Sequence, residues 1–232
     1  MKWRLMLPNA ISLAAMASGF CSLLMTLDQR PLTAAQLILL TMILDGLDGN
    51  LARWFKTTSQ FGAELDSYVD ITAFGIAPAV LVYEKAALSG YKTAGLFLSL
   101  AIIIFGAVRL ARFKAQDDFR GQKGYTGLPI TISAGWVALL TLLNQIEPEK
   151  FSLNRFSAAV FSVSLIICLL LQVSNVRYPK PTKNILHFIF CAVLILPLLL
   201  PDFGLFLPCA FNLSALGFFY VLLSPLKIFT RI

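Results

Sequence analysis

The chain has 232 residues, of which 58% are hydrophobic and 13% charged, and its mean hydropathy is +0.78. That balance excludes an ordinary soluble domain and specifies an integral membrane protein. The net charge of +7 is spread over short basic clusters between apolar segments, where anionic headgroups and topology account for it, so no nucleic-acid partner is indicated.

The N-terminus, MKWRLMLPNAISLAAMASGF, has the basic start and the Ala15-Met16-Ala17 triplet of a cleavable signal. Its apolar run continues to Leu27, however, which is long enough to remain as a transmembrane helix, with Pro8 suited to the first helical turn. Further apolar segments follow at 33–55, 61–83, 93–113, 127–146, 154–173, 184–200 and 203–223. Together they predict an all-α, polytopic membrane bundle of about eight transmembrane helices. Only Pro201 and Asp202 separate the last two segments, and a re-entrant hairpin would give the same pattern.

Fourteen Lys and Arg residues fall on the side of the N-terminus and five on the other, a positive-inside bias that places both termini in the cytoplasm. Residues 1–232 then form a single integral membrane domain. Cys21, Cys168, Cys191 and Cys209 all lie in apolar runs without close spacing and read as small hydrophobes, which gives neither a disulfide framework nor a zinc site. His187 is alone in an apolar helix, and Glu64 stands at the membrane edge with no partner evident.

The stretch DGLDGNLARWFKTTSQFGAELDSYVD, residues 45–70, carries four aspartates. At helical spacing Asp45 and Asp48 share a face with Gly49 and Ala52, and Gly62, Asp66 and Asp70 form one stripe on the next helix. The polar turn Lys56-Thr57-Thr58-Ser59 makes the two helices antiparallel, and their small residues predict a close approach that turns the four carboxylates toward one another. An aspartate at a helix centre costs roughly 2.5–3.5 kcal/mol, so the group needs a cation. Helix capping, a cation-transport site and metal-dependent phosphoryl transfer are the three readings. Capping accounts for one residue rather than a stripe, and hard oxygen ligands suit Mg²⁺ or Mn²⁺ in phosphoryl chemistry. Arg53, one turn beyond the acidic face, is placed to grip a pyrophosphate, although it would also serve as a positive-inside anchor. Ser59 could donate to the same ligand or simply form the turn.

The pattern Asp45-x2-Asp48-Gly49-x2-Ala52-Arg53-x8-Gly62-x3-Asp66-x3-Asp70 resembles the signature of the CDP-alcohol phosphotransferase family at each of its eight fixed positions. The resemblance implies that an alcohol displaces CMP from a CDP-linked lipid, and that two Mg²⁺ or Mn²⁺ ions are held by Asp45, Asp48, Asp66 and Asp70, with Asp70 also the base. It further implies that Gly49, Arg53 and Ser59 contact the CDP-lipid, that the segment with Pro8 and Asn9 touches the nucleotide, and that the protein is a homodimer. Asn9 could equally be a helix-start residue. Within the family, LPNAISLAAMASGF, FGAELDSYVDITAFGIAPA, RLARF and GLPIT resemble the phosphatidylserine synthases. The sequence departs where many relatives carry a second proline near Thr131.

The resemblance covers about residues 5–175, with extra C-terminal helices at about 184–223. It implies transfer of the phosphatidyl group from CDP-diacylglycerol to L-serine at the cytoplasmic face of the cell membrane. Arg109 and Arg112, one turn apart, could receive the serine carboxylate; they could also anchor the helix at the interface. Glycerol 3-phosphate, inositol phosphate or choline remain alternative acceptors, and a divalent-cation transporter remains the alternative of a different class.

Overall fold

The computed structural model describes residues 3–116, 125–146, 155–178, 185–199, 208–210, 212–217 and 220–221. Helix α1 spans Trp3–Leu27 and α2 Pro31–Trp54. The turn between them closes with Gln29 in the left-handed region (φ 58) and the Arg30 amide donating to the Met25 carbonyl at 2.8 Å. Pro31 then opens α2, where a missing N–H costs nothing. At the far end of α2, Lys56 also turns left-handed (φ 55), and the Thr57 amide returns to the Ala52 carbonyl at 2.9 Å. The chain reverses again into α3, Gln60–Val69, which passes through a π-helical stretch, Asp70–Ile76, into α4, Ala77–Leu88.

Helix α5 spans Lys92–Gln116, α6 Ile130–Ile146, α7 Arg155–Gln172 and α8 Ile185–Ile195. The all-α expectation holds apart from one two-residue ladder, β1 (Tyr125–Thr126) antiparallel to β2 (Arg177–Tyr178). Among the described residues, four helical stretches are long and apolar enough to cross a membrane: Met6–Leu27, Pro31–Trp54, Gln60–Leu88 and Lys92–Ala115. Helices α6 and α7 are apolar but shorter. The 184–200 segment, expected as one helix, changes after Ile195 to a 3₁₀ turn, Leu196–Leu199. The cause is Pro197, which has no N–H to continue the α ladder and disfavours helical backbone before it. Gln36 of α2 donates to the carbonyls of Leu198 and Leu199 at 3.2 and 3.4 Å. Much of the 203–223 segment and both chain ends lie outside the described residues.

Two further sequence expectations change. Pro8 is inside α1 rather than in its first turn, because the helix starts at Trp3. The turn before Pro8 carries the Trp3 ring, packed edge-on against Phe55 with centroids 5.7 Å apart. Nor do α2 and α3 pack backbone to backbone. Both lie along α1, which also packs on the π stretch and α4.

Close contact with α1 is set by Gly19. A Cβ there would lie 2.4 Å from the Ala73 Cβ, so the two backbones meet as small residues allow in a bilayer. The buried core of Ile38, Leu39, Phe74, Leu81, Leu142 and Leu165 fills the bundle, while Phe97, Leu100 and Ile104 of α5 face outward, as lipid-facing residues do. Gly19→Val should therefore lower the melting temperature of the purified protein, since forcing methyl groups into a filled contact costs about 1–3 kcal/mol. An unchanged melting temperature would reject the close approach of α1 to the π stretch.

Candidate metal centre

Asp45 and Asp48 occupy neighbouring turns near the C-terminal end of α2, and Asp66 faces them from α3. One carboxylate oxygen from each lies within 4.8 Å of the others. Asp45 is half-buried, Asp48 buried and Asp66 exposed, so the cluster opens on the Asp66 side. Ser12 of α1 donates its hydroxyl to Asp48 Oδ2.

Asp70 is not part of this three-carboxylate group. It begins the π stretch and pairs with Arg109 of α5, Nη1 to Oδ2 at 3.9 Å, with the two side chains 14% and 6% exposed. Arg109 also lies against the Phe113 ring, 5.7 Å from its centroid. Arg112, expected beside it, is engaged elsewhere: it donates to the Ser174 carbonyl at 3.0 Å, to Asn175 Oδ1 at 2.8 Å and to the Val173 carbonyl. The two arginines are thus divided between the acidic site and the C-terminal end of α7.

The rim of the site comes from three elements. Arg53 is exposed at the end of α2 and donates from Nη2 to Asn50 Oδ1 at 2.9 Å, while Asn50 Nδ2 donates to the Gly46 carbonyl at 2.7 Å. A Cβ on Gly49 would stand 3.5 Å from Arg53 Nη1, so the glycine leaves the space beside the guanidinium open. Ser59 caps α3, its hydroxyl oxygen accepting from the Gly62 amide at 3.0 Å. Asn9 is well inside α1, which removes its helix-start reading, and its Oδ1 lies 3.3 Å from where a Gly62 Cβ would be. Pro8, one residue earlier, is buried.

Sequence reasoning missed Ser12, Asn50 and the partner of Glu64. Asn50 could have been found as the residue three before Arg53, on the same helix face. Glu64 pairs with Lys114 of α5 at 2.6 Å, both side chains nearly half exposed, and Lys114 lies 6.0 Å from the Tyr68 ring. The side chain of His187 lies outside the described residues.

Tested by its donor chemistry, the cluster fits a hard divalent ion. Its ligand atoms are carboxylate oxygens from Asp45, Asp48 and Asp66, with neither sulfur nor imidazole among them, the set that suits Mg²⁺ or Mn²⁺ rather than softer ions.

The profile of the CDP-alcohol phosphatidyltransferase family matches residues 5–214. A CDP-diacylglycerol–serine O-phosphatidyltransferase of Helicobacter pylori is 34% identical over 177 residues, covering 76% of this chain and 73% of that one. Another of the same name, from Methanocaldococcus jannaschii, is 36% identical over 177 residues, covering 76% and 79%. An archaetidylserine synthase of Methanothermobacter thermautotrophicus is 31% identical over 179 residues, covering 75% and 70%.

An ion held by the native cluster stabilises the fold by mass action, about 2.7 kcal/mol at one hundred times its Kd. Added Mn²⁺ should therefore raise the melting temperature of the wild type and not that of Asp45→Asn, Asp48→Asn or Asp66→Asn. An equal rise in all three variants would remove the cluster as an ion site.

Proposed function

The chain belongs to the CDP-alcohol phosphatidyltransferase family, and from that premise we propose that it transfers the phosphatidyl group of CDP-diacylglycerol to L-serine, giving phosphatidylserine and CMP. The observation that carries the reaction class is the convergence of Asp45, Asp48 and Asp66 with Arg53 at their rim. Serine as acceptor is supported by the CDP-diacylglycerol–serine O-phosphatidyltransferases that are 34–36% identical to the chain over about three quarters of its length.

In this reading Asp45, Asp48, Asp66 and Asp70 hold two Mg²⁺ or Mn²⁺ ions, which when bound polarise the pyrophosphate and offset charge on the departing CMP. Arg53, steadied by Asn50, takes the pyrophosphate as a bidentate donor. Gly49 leaves room for it, and the Pro8-Asn9 segment lies along the nucleotide. Ser59 accepts from Gly62 through its oxygen and so retains its own proton for the ligand. Asp70 accepts the proton of the serine hydroxyl as the new bond to phosphorus forms and the bond to the CMP oxygen breaks; CMP leaves with that electron pair. Arg109, already beside Asp70, orients it and stands where the serine carboxylate would arrive. Arg112 holds the end of α7 and is not given a substrate role.

The positive-inside bias supports a site at the cytoplasmic face of the cell membrane with both termini on that side, and the same reading takes the protein to have about eight spans and to work as a homodimer. Residues 5–175 would form the catalytic core of a single domain, with added helices at 184–223. The deciding experiment supplies purified protein with CDP-diacylglycerol and Mn²⁺ and compares serine with glycerol 3-phosphate, inositol phosphate and choline. CMP release with serine alone is expected. Release with another acceptor would reassign the substrate, and no release with any, together with Mn²⁺ uptake into vesicles, would favour a cation transporter.

Asp70→Asn separates base from ligand. As the base, its loss should slow transfer by about 10²–10⁴-fold while CDP-diacylglycerol affinity in Mn²⁺ stays near wild type, because Arg53 and the other three carboxylates remain. A collapse of lipid affinity together with activity would make Asp70 principally a ligand.

A further inference from the structure

Helix α1 reaches α2 through three buried serine hydroxyls. Ser18 donates to the Leu37 carbonyl at 3.1 Å and Ser22 to the Ala34 carbonyl at 2.8 Å, both backbone acceptors of an ordinary helix contact. Ser12 differs, because its acceptor on α2 is the Asp48 carboxylate. We propose that Ser12 is a positioning residue of the ion site, whose hydroxyl fixes the rotation of the Asp48 carboxylate before an ion arrives. The inference rests on Asp48 being an ion ligand.

Ser12 has one proton and two acceptors within reach, the Pro8 carbonyl at 3.2 Å and the closer Asp48 Oδ2. A hydrogen bond to an ionised carboxylate is about twice as strong as one to a neutral carbonyl, so the proton goes to Asp48. Ser12 and Asp48 are each 5% exposed, which leaves little water to replace that donor. The hydroxyl engages Oδ2 from the α1 side, while a carboxylate oxygen of Asp48 remains in the group with Asp45 and Asp66. A carboxylate held in this way binds its ion without first giving up rotational freedom. Loss of such outer partners typically weakens metal affinity about 10–100-fold.

The test titrates full-length protein in detergent with Mn²⁺ alone and follows free Mn²⁺ by electron paramagnetic resonance. Ser12→Ala should bind Mn²⁺ about 10–100-fold more weakly than wild type, with Ser12→Thr restoring most of the affinity. Ser12→Cys, close to serine in volume but a weak donor, should fall between them and keeps the question answerable if the alanine variant does not fold. Ser22→Ala removes an equivalent α1–α2 bond, and it should leave Mn²⁺ affinity unchanged even where it lowers the melting temperature. At saturating Mn²⁺, Ser12→Ala should retain the wild-type dependence on CDP-diacylglycerol concentration. Wild-type Mn²⁺ affinity in Ser12→Ala and Ser12→Cys, with affinity lost in Asp48→Asn, would overturn the role of Ser12 and leave the ion site standing. Wild-type affinity in Asp48→Asn would overturn both.

Discussion

Mutual repulsion among Asp45, Asp48 and Asp66 is the constraint around which the rest of the bundle is arranged. Three carboxylate oxygens within 4.8 Å of one another, one on a residue that is 5% exposed, are unfavourable in an apolar helix bundle unless positive charge or donated protons compensate them. The fold supplies compensation from outside the two helices that bear the acids. Helix α1 contributes the Ser12 hydroxyl to Asp48, and α5 contributes the Arg109 guanidinium to Asp70. A divalent ion would sit between Asp45, Asp48 and Asp66, where the three carboxylates converge.

Helix α1 thereby acquires two duties that favour the same packing. Its serines bond to α2, and its Gly19 lets it approach Ala73 at the π stretch. Since α2 and α3 both lean on α1 rather than on each other, the acidic faces can come together at their ends while the backbones stay apart. A direct α2–α3 contact along small residues would leave less room beside Gly49 and Arg53 for a pyrophosphate.

The aspartates were legible in the sequence because helical periodicity alone places Asp45 with Asp48 and Asp66 with Asp70. The helical class and the apolar segments were legible for the same kind of reason, since length and hydropathy act locally. What periodicity does not encode is which helix stands beside which. Ser12 and Asp48 are 36 residues apart, and nothing in LPNAISL marks that serine as facing an acid rather than lipid. Arg109 and Arg112 share a helix face by spacing, yet they serve different neighbours, because α7 ends near one and the π stretch begins near the other. The break of the 184–200 segment was readable from Pro197, whereas the Trp3–Phe55 contact in the turn before Pro8 joins distant parts of the chain and was not.

The separation of Asp70 from the other three carboxylates bears on how, in the proposed reaction, one site would both hold ions and move a proton. A carboxylate shared fully among cations has its lone pairs engaged and is a poor proton acceptor; one with no cation nearby would be costly to keep charged in an apolar bundle. Asp70 stands between these limits. It is four residues from Asp66 on a continuous helix, close enough to complete the ligand set, and it begins the π stretch where the backbone widens toward α5 and Arg109. Arg109 supplies a balancing charge from α5 while being 6% exposed itself, so water competes little for either group. In the proposed reaction, an acceptor bearing a carboxylate would meet Arg109 at the point where its hydroxyl meets Asp70, and the ion pair that holds the acid in place would become the contact that orients the nucleophile.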